Sequence, residues 1–257
     1  MFEGSEIIYK GMYLVGFILM MIYSLRTCQK KNISKGRAVA MTLFTYVAGV
    51  AGALIMGKVF TVISDSLGLQ QSSSVAIFGA VMFTPLFLIL WFFVTEKLLQ
   101  AIRPGSWRDY LDLLTPGIFI ILICAKFGCF FAGCCHGFLC ESFGIFNPTV
   151  NAKVFPIQIF EVITMIAVML LCSFLIKKEK LFPRGSYYPL TAAVYSVTRF
   201  CWEFFRYYES DSLRHLFMGL SLWQICSLIM IAAGITAILL LRRADTKNAV
   251  KPVRKNS

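Results

Sequence analysis

Seven apolar stretches, each long enough to cross a lipid bilayer, constrain the fold of this 257-residue chain more than any other feature. A membrane-spanning helix needs about 20 mostly apolar residues. Hydrophobic residues make up 58% of the chain and charged residues 15%, which excludes a water-soluble globule. We therefore predict an all-α, polytopic membrane protein with seven transmembrane helices. The predicted spans are residues 8–25, 38–64, 74–95, 110–135, 155–176, 186–208 and 217–241.

Lysine and arginine predict how these spans are oriented. Eighteen of the twenty-five basic residues lie in segments 26–37, 97–108 and 177–184 and in the tail from residue 242. All four segments fall on one side of a seven-span alternation, so the positive-inside rule places the N-terminus outside and the C-terminus in the cytoplasm. We expect one membrane domain, residues 1–241, and a basic cytoplasmic tail, residues 242–257. The net charge of +12 then arises mostly from the basic residues of the cytoplasmic segments, which orient the spans.

The basic tail also has two alternative interpretations. A nucleic-acid partner is not predicted, because no stacking aromatics or RNA-binding signature accompany the basic residues. A disordered tail lying near anionic lipid headgroups is the simpler interpretation.

Charged side chains inside a span are costly and usually mark a functional site. Five such candidates are Lys58, Lys126, Glu161, Arg199 and Glu203. With the N-terminus outside and a rise of about 1.5 Å per residue, all five are expected in the outer half of the bilayer. The sequence thus predicts one charged site near the outer face.

Helical spacing places further polar residues beside these charges. Tyr195, Arg199, Glu203 and Arg206 stand at i, i+4, i+8 and i+11, so they form one stripe of a helix. In the segment "FPIQIFE", residues 155–161, the glutamine at 158 and the glutamate at 161 share a face in the same way. These stripes predict two helices that face a common polar site.

An excess of positive charge in the outer leaflet favours an anionic ligand that enters from the lipid, such as a phospholipid headgroup. Arginine suits phosphate because its planar fork donates two hydrogen bonds. The alternative is a structural set of buried ion pairs, Arg199 with Glu203 or Glu161. Snorkelling towards the interface would explain Arg206 and Lys58, but not Arg199.

The stretch "KFGCFFAGCCHG", residues 126–137, concentrates glycine and cysteine at the end of an apolar run. Its glycines let another backbone or a ligand approach closely, and they allow the helix to break and leave backbone donors for an anion. Four other cysteines lie within spans, where we expect small core residues. These are Cys124, Cys172, Cys201 and Cys226.

The clustered cysteines have three open interpretations. Together with His136, they could bind zinc or copper(I), although their C-x4-C-C-H-x3-C spacing matches no usual zinc pair. A Cys135–Cys140 disulfide outside the membrane is a second interpretation, and packing of small residues is the third. We predict no metal and no cofactor. The thiols in question are Cys129, Cys134, Cys135 and Cys140.

At these residues the chain resembles the prolipoprotein diacylglyceryl transferase family. "DLLTPGIFIILICAKFGCFFAGCCHG", residues 112–137, is similar to the family signature in its cysteine-containing form, and "FPIQIFE" to its Pro-x-Gln-x-Tyr-Glu segment. "VYSVTRFCWEFFR", residues 194–206, is similar to its Tyr-Gly-x-x-Arg-Phe-x-x-Glu-Phe-x-Arg segment, and "GLSLWQICSLIMIAAG", residues 219–234, to the start of its last helix. The four segments follow the family's order.

The resemblance implies an enzyme of the bacterial plasma membrane that moves a diacylglyceryl group from phosphatidylglycerol to the lipobox cysteine of a preprolipoprotein. Such a reaction needs a cationic cradle for the phosphate and a base for the incoming thiol. His136 is the expected base, because imidazole suits proton transfer near neutral pH; a histidine without a role is the alternative. Catalytic roles are expected for His136, Arg199 and Glu203, and substrate binding for Lys126, Arg206, Glu161, Gln158, Tyr195 and Lys58.

Departures from the family pattern leave other functions open. Lys126, Cys129 and Cys134 stand where the usual form has Arg, Asn and Glu, and Phe78 lacks the hydroxyl or imidazole expected at its position. The donor or acceptor could therefore differ from the family's. Other classes of function are a thiol- or metal-binding membrane protein and an anion carrier, but no inverted repeat supports the carrier.

Overall fold

The computed structural model of the chain describes residues 3–30, 34–66, 79–81, 83–87, 89–90, 107–176, 182–208 and 218–250. Its elements are α1 (Glu3–Lys30), α2 (Lys35–Ser66), α3 (Trp107–Phe131), β1 (Ile145–Asn147), β2 (Ala152–Val154), α4 (Ile157–Ile176), α5 (Tyr187–Glu203) and α6 (Leu222–Val250). Residues 79–81, 83–87 and 89–90, inside the third predicted span, are also helical.

Five helical stretches among the described residues are long and apolar enough to cross a membrane. They are Ile7–Gln29, Lys35–Val59, Arg108–Phe131, Ile157–Ile176 and Leu222–Thr246. The prediction of a mainly helical, multi-span chain is thereby confirmed, whereas seven spans and their orientation stay predictions. α5, inside the sixth predicted span, has 17 residues, two of which are charged. The all-α description also missed a small antiparallel hairpin of β1 and β2.

Helix α1 packs closely against α3 because glycines lie at the contact. A Cβ added to Gly16 would meet the Cβ of Cys124 at 3.0 Å, and one added to Gly128 would meet the Cβ of Met12 at 3.2 Å. Small residues are the usual means by which membrane helices approach each other, since lipid supplies no hydrophobic drive for association. The resulting contact fixes the end of α3 that carries the signature.

Asp112 connects the beginning of α3 with the beginning of α5. Its carboxylate accepts hydrogen bonds from the backbone N–H of Gly185 (2.7 Å) and of Tyr187 (2.8 Å). The first N–H groups of a helix have no partner within it, and a carboxylate there is favoured by the helix dipole. α5 is thus held beside α3 so that the C-terminal ends of both helices lie on the same side of the molecule.

At that side, three backbone segments form a compact cap. The N–H of Gly137 donates to the carbonyl of Phe155 at 3.0 Å, and that of Phe138 donates to the carbonyl of Phe205 at 3.0 Å. A Cβ at Gly137 would lie 2.8 Å from the first carbonyl oxygen and 2.9 Å from the second. Only glycine allows the three chains to come this close, and the cap lies directly over the ends of α3, α4 and α5.

Two sequence predictions about the periphery differ from the structure. Helix α6 continues to Val250, so residues 242–250 of the predicted tail are helical, and Arg108 Nη1 pairs with Asp245 Oδ1 at 2.5 Å. Cys201 is exposed instead of lying in the core, because its side of α5 faces outward. The other three span cysteines, Cys124, Cys172 and Cys226, are buried as predicted.

Candidate functional site

Five charged side chains from α3, α4, α5 and the segment just after α5 form a single cluster, which we call the ion-pair cluster. Its members are Lys126, Glu161, Arg199, Glu203 and Arg206. Each residue is at most 5% exposed. Because burying unpaired charge is very costly, such burial requires that every charge finds opposite charge nearby.

Glu161, one turn into α4, is the central acceptor. Its Oε2 lies 2.5 Å from Lys126 Nζ, and its Oε1 accepts a hydrogen bond from Arg206 Nη2 at 2.8 Å. Arg199 Nη1 stands 3.8 Å from the same Oε1. One carboxylate thus joins cations from two other parts of the chain.

Glu203 is the second acceptor. It pairs with Arg199, one helical turn earlier, and its Oε2 lies 3.5 Å from Arg206 Nε. Its other oxygen accepts hydrogen bonds from the hydroxyls of Tyr208 and, at 3.2 Å, Ser221. Both arginines are therefore held by carboxylates.

The ion-pair cluster holds three cations and two carboxylates, so it carries a net charge of +1. Arg206 Nε–H makes no hydrogen bond with any described residue, although it is buried. A buried site with surplus positive charge favours an anion. Arg206 is also 5% exposed, so the snorkelling interpretation is wrong for this residue.

The signature stretch ends α3 with a turn closed by backbone hydrogen bonds. Cys134 N–H donates to the Cys129 carbonyl and Gly133 N–H to the Phe130 carbonyl, both at 3.1 Å, and Gly133 has φ +68°. This is the Schellman pattern, in which a left-handed residue follows the last helical turn. α3 therefore ends at Phe131, before the predicted limit of 135. Asn147, whose side chain donates to the Gly133 carbonyl at 2.8 Å, fixes the turn from β1.

The turn brings three of the four clustered thiols together. The sulfur atoms of Cys129, Cys134 and Cys135 lie within 4.8 Å of one another. Hydrogen bonds from the first two thiols lower the pKa of the Cys135 thiol well below its usual range, and the positive charges of Arg206 and Lys126 lower it further. All nine cysteines are free, so Cys135 and Cys140 form no disulfide here.

A search against family models gave a match to the prolipoprotein diacylglyceryl transferases over residues 7–240. The chain belongs to this family. Two curated relatives are similar to this chain at low identity. This chain is 22% identical over 242 residues to a phosphatidylglycerol–prolipoprotein diacylglyceryl transferase of Streptococcus uberis, and the match covers 90% of this chain and 88% of the relative. This chain is also 24% identical over 209 residues to phosphatidylglycerol–prolipoprotein diacylglyceryl transferase 2 of Clostridium perfringens. That match covers 75% of each chain.

In this family member, His136 lies beside the ion-pair cluster and not within it. The ring is half-buried, stacks on Tyr207 with ring centres 5.3 Å apart, and Nδ1 lies 3.0 Å from the Gly137 carbonyl oxygen. Because a carbonyl only accepts, Nδ1 carries the hydrogen in the neutral ring, which leaves Nε2 as the basic nitrogen.

The remaining predicted site residues are placed as follows. Gln158 is buried and donates from Nε2 to the Cys134 carbonyl at 2.7 Å, so it supports the turn at the end of α3. Tyr195 is buried on the Arg199 stripe, edge-on to Phe119. Lys58 is exposed on α2 and forms no ion pair with any residue that the structure describes, so it does not join the cluster. Phe78 lies outside the described residues.

Sequence reasoning missed three polar residues that complete the surroundings of Glu203. Tyr208 and Ser221 donate to its carboxylate, and Gln224 accepts a hydrogen bond from the Ser221 N–H at 2.9 Å. The sequence offered one signal for this group: Gln224, near the start of the apolar helix α6. An uncharged polar side chain in a membrane-spanning helix also needs hydrogen-bond partners.

Proposed function

We propose that this protein is a membrane-embedded transferase that moves the diacylglyceryl group of phosphatidylglycerol to the lipobox cysteine of a preprolipoprotein. The names of both relatives give phosphatidylglycerol, prolipoprotein and diacylglyceryl transfer, which supports this proposal. The observation that carries the proposal is the buried cluster of three cations on two carboxylates, whose surplus charge of +1 suits a phosphodiester.

The proposed topology has seven spans in one domain, residues 1–241, with the N-terminus outside the bacterial plasma membrane and the tail, residues 242–257, in the cytoplasm. The end of α3 then lies at the outer face, and with it the ion-pair cluster. In this orientation the cluster meets phospholipid from the outer leaflet and a lipoprotein precursor exported across the membrane.

Arg199, Arg206 and Lys126 form the proposed phosphate cradle, while Glu161 and Glu203 hold the arginine planes in position. The acceptor sulfur attacks the glyceryl carbon that bears the phosphate. The bond from this carbon to the phosphate oxygen breaks, glycerol phosphate leaves, and a thioether forms. Negative charge grows on the departing phosphate, so preorganised cations lower the barrier.

His136 is the proposed base for the acceptor thiol. Its Nδ1–H is directed to the Gly137 carbonyl, so Nε2 can take the thiol proton. A thiolate is the reactive form of cysteine, and the transfer of this proton creates it next to the cationic cradle. Gln158 and Tyr195 are proposed to position substrate around this centre, while Lys58, which lies outside the ion-pair cluster, is proposed as a more distant substrate contact.

An apolar cavity is available for the acyl chains of the donor lipid, and none of the five cluster residues lines it. The cavity has a volume of about 580 Å³ and is lined by residues of α3, α5 and α6 and by Val81, Pro85, Leu86 and Ile89; Tyr188, Ala192 and Met230 are among its lining residues. Ala192 precedes Arg199 by two helical turns, which is about 10 Å along the axis. The cations themselves are at most 5% exposed, so a headgroup must displace neighbouring side chains before it reaches them.

The test is mass spectrometry of a lipobox peptide incubated with purified protein and phosphatidylglycerol. We expect a mass gain equal to one diacylglyceryl group, and its loss in Arg199→Ala. Arg184→Ala, which removes an exposed arginine just before α5, is the matched control and should retain transfer. Full transfer by Arg199→Ala would support a purely structural ion-pair cluster and contradict the proposal.

A second candidate is transfer from another anionic lipid or to another thiol. It is favoured by Cys129 and Cys134, which stand where the usual form of the family has Asn and Glu, and by Lys126, which lacks the arginine fork. Competition among phosphatidylglycerol, cardiolipin and phosphatidylserine as donors separates this candidate from the first. A preference for phosphatidylglycerol of less than about twofold would favour it.

A further inference from the structure

The three thiols at the end of α3 form a site that the proposed transfer reaction does not use. The sulfur atoms of Cys129, Cys134 and Cys135 are mutually within 4.8 Å, while Cys140 and His136 are outside the group. Cys129 is buried, and the other two are half-buried, so part of the group is accessible. We call it the thiol triad.

The backbone, not the spacing of the sequence, creates the triad. The Schellman hydrogen bond from Cys134 N–H to the Cys129 carbonyl places these two side chains side by side. Cys135 then adopts φ +58°, a left-handed conformation that a residue with a Cβ rarely takes. This conformation directs the third thiol back towards the other two. The usual zinc spacing is therefore not required for convergence.

Charge also favours metal binding at this position. The ion-pair cluster has a net charge of +1, and the Cys135 thiol interacts directly with Arg206. Zn²⁺ bound by three thiolates has a net charge of −1. The charge of +1 on the ion-pair cluster offsets it. Sulfur ligands select soft cations, Cu(I) and Zn(II) above all.

We propose that Cys129, Cys134 and Cys135 bind one thiophilic d10 cation, Cu(I) or Zn(II), through three metal–sulfur bonds. On binding, three S–H bonds lose their protons to solvent and three metal–sulfur bonds form, so no oxidant or reductant takes part. Gln158, which holds the Cys134 carbonyl, and Asn147, which holds that of Gly133, preorganise the turn for the ion. This inference is independent of the transfer reaction.

The experiment uses the reduced, full-length protein in detergent under anaerobic conditions. It is titrated separately with Cu(I) against bicinchoninate and with Zn(II) against a chromophoric chelator, then desalted, and the metal content per chain is measured. We expect one equivalent of at least one of the two metals and at least a tenfold weaker affinity in Cys134→Ser. Cys201→Ser and Cys140→Ser, which change thiols outside the triad, should bind like the wild type.

Two measurements on the unchanged chain keep the test decisive if a variant fails to fold. X-ray absorption of the zinc-loaded protein should show three sulfur neighbours at about 2.3 Å. Bound metal should also protect Cys134 and Cys135 from alkylation, as mapped by peptide mass spectrometry, while exposed Cys201 still reacts. Fewer than three sulfur neighbours, absence of protection, or equal affinity in wild type and Cys134→Ser would overturn the proposal.

Discussion

Lys126 on α3 and Glu161 on α4 form an ion pair with 2.5 Å between Nζ and Oε2, and both residues are at most 3% exposed. Glu161 also contacts Arg199 and Arg206, so one carboxylate holds three helical segments to a common centre. The pair connects α3 with α4, and its lysine is also part of the proposed phosphate cradle. The first role predicts that substitutions change stability, and the second predicts that they change transfer activity.

Stability should depend on which sign of charge is removed. Glu161→Gln leaves three buried cations with one carboxylate and should lower the free energy of unfolding by about 3–5 kcal/mol. Arg199→Ala leaves two cations with two carboxylates, so its loss should be clearly smaller. Unfolding in detergent followed by tryptophan fluorescence measures the difference, with Arg184→Ala as the reference. The same loss in both variants would show that charge balance does not govern the cluster.

Arg206→Lys tests the guanidinium geometry at constant charge. The ammonium cannot keep both the 2.8 Å bond to Glu161 and the contact with Glu203, and it loses the planar fork for phosphate. We expect transfer to a lipobox peptide to fall about 10²–10³-fold, the range for loss of one stabilising donor. The thermal midpoint should change little. Arg184→Lys is the matched control, and equal activity of the two variants would argue against the cradle.

His136→Gln separates proton transfer from lipid binding. Loss of a general base should lower kcat about 10²–10⁴-fold, with little change in the KM for phosphatidylglycerol. Tyr207→Phe, which keeps the aromatic stack on His136, should retain wild-type turnover. Normal turnover of His136→Gln would show that another group accepts the thiol proton.

The turn at the end of α3 should be sensitive to a single methyl group. Gly133 has φ +68°, and a Cβ there would lie 2.5 Å from Thr149 Oγ1 and 2.7 Å from Asn147 Oδ1. Gly133→Ala should therefore cost about 1–3 kcal/mol of unfolding free energy. A Cβ at Gly57 on α2 meets nothing within 4 Å, so Gly57→Ala should be neutral or stabilising. Equal effects of the two substitutions would contradict a strained turn.

Ser221→Ala removes a hydrogen bond to the Glu203 carboxylate and should destabilise the protein by about 1.5–3 kcal/mol, since bonds to charged groups are the stronger ones. Ser142→Ala, at an exposed position in the loop after α3, should change stability by less than about 0.5 kcal/mol. The difference between their thermal midpoints is the measurement. If the two midpoints coincide, Ser221 contributes nothing to the orientation of Glu203.

Most of the charged site was predictable because intramembrane charges are few. Lys126, Glu161, Arg199 and Glu203 were identified by depth alone. Helical spacing added Arg206, but α5 ends at Glu203, so Arg206 reaches the cluster from a bridge with Gly137 and not from the predicted helical stripe. Lys58 satisfied the same depth criterion and yet is exposed on α2. Depth fixes the position of a residue along a helix axis, but not the direction in which the helix face points, so it could not separate Lys58 from the others.

The sequence by itself determined the family, the apolar character of the helices and the residues available for an anion site, because these follow from local composition, periodicity and motif order. Only the tertiary structure decided that Glu161 joins three cations, that the cluster keeps a surplus positive charge, and that a left-handed turn unites the thiols of Cys129, Cys134 and Cys135. The physical reason is that pairing depends on helix rotation, tilt and backbone dihedral angles, which result from packing over the whole chain.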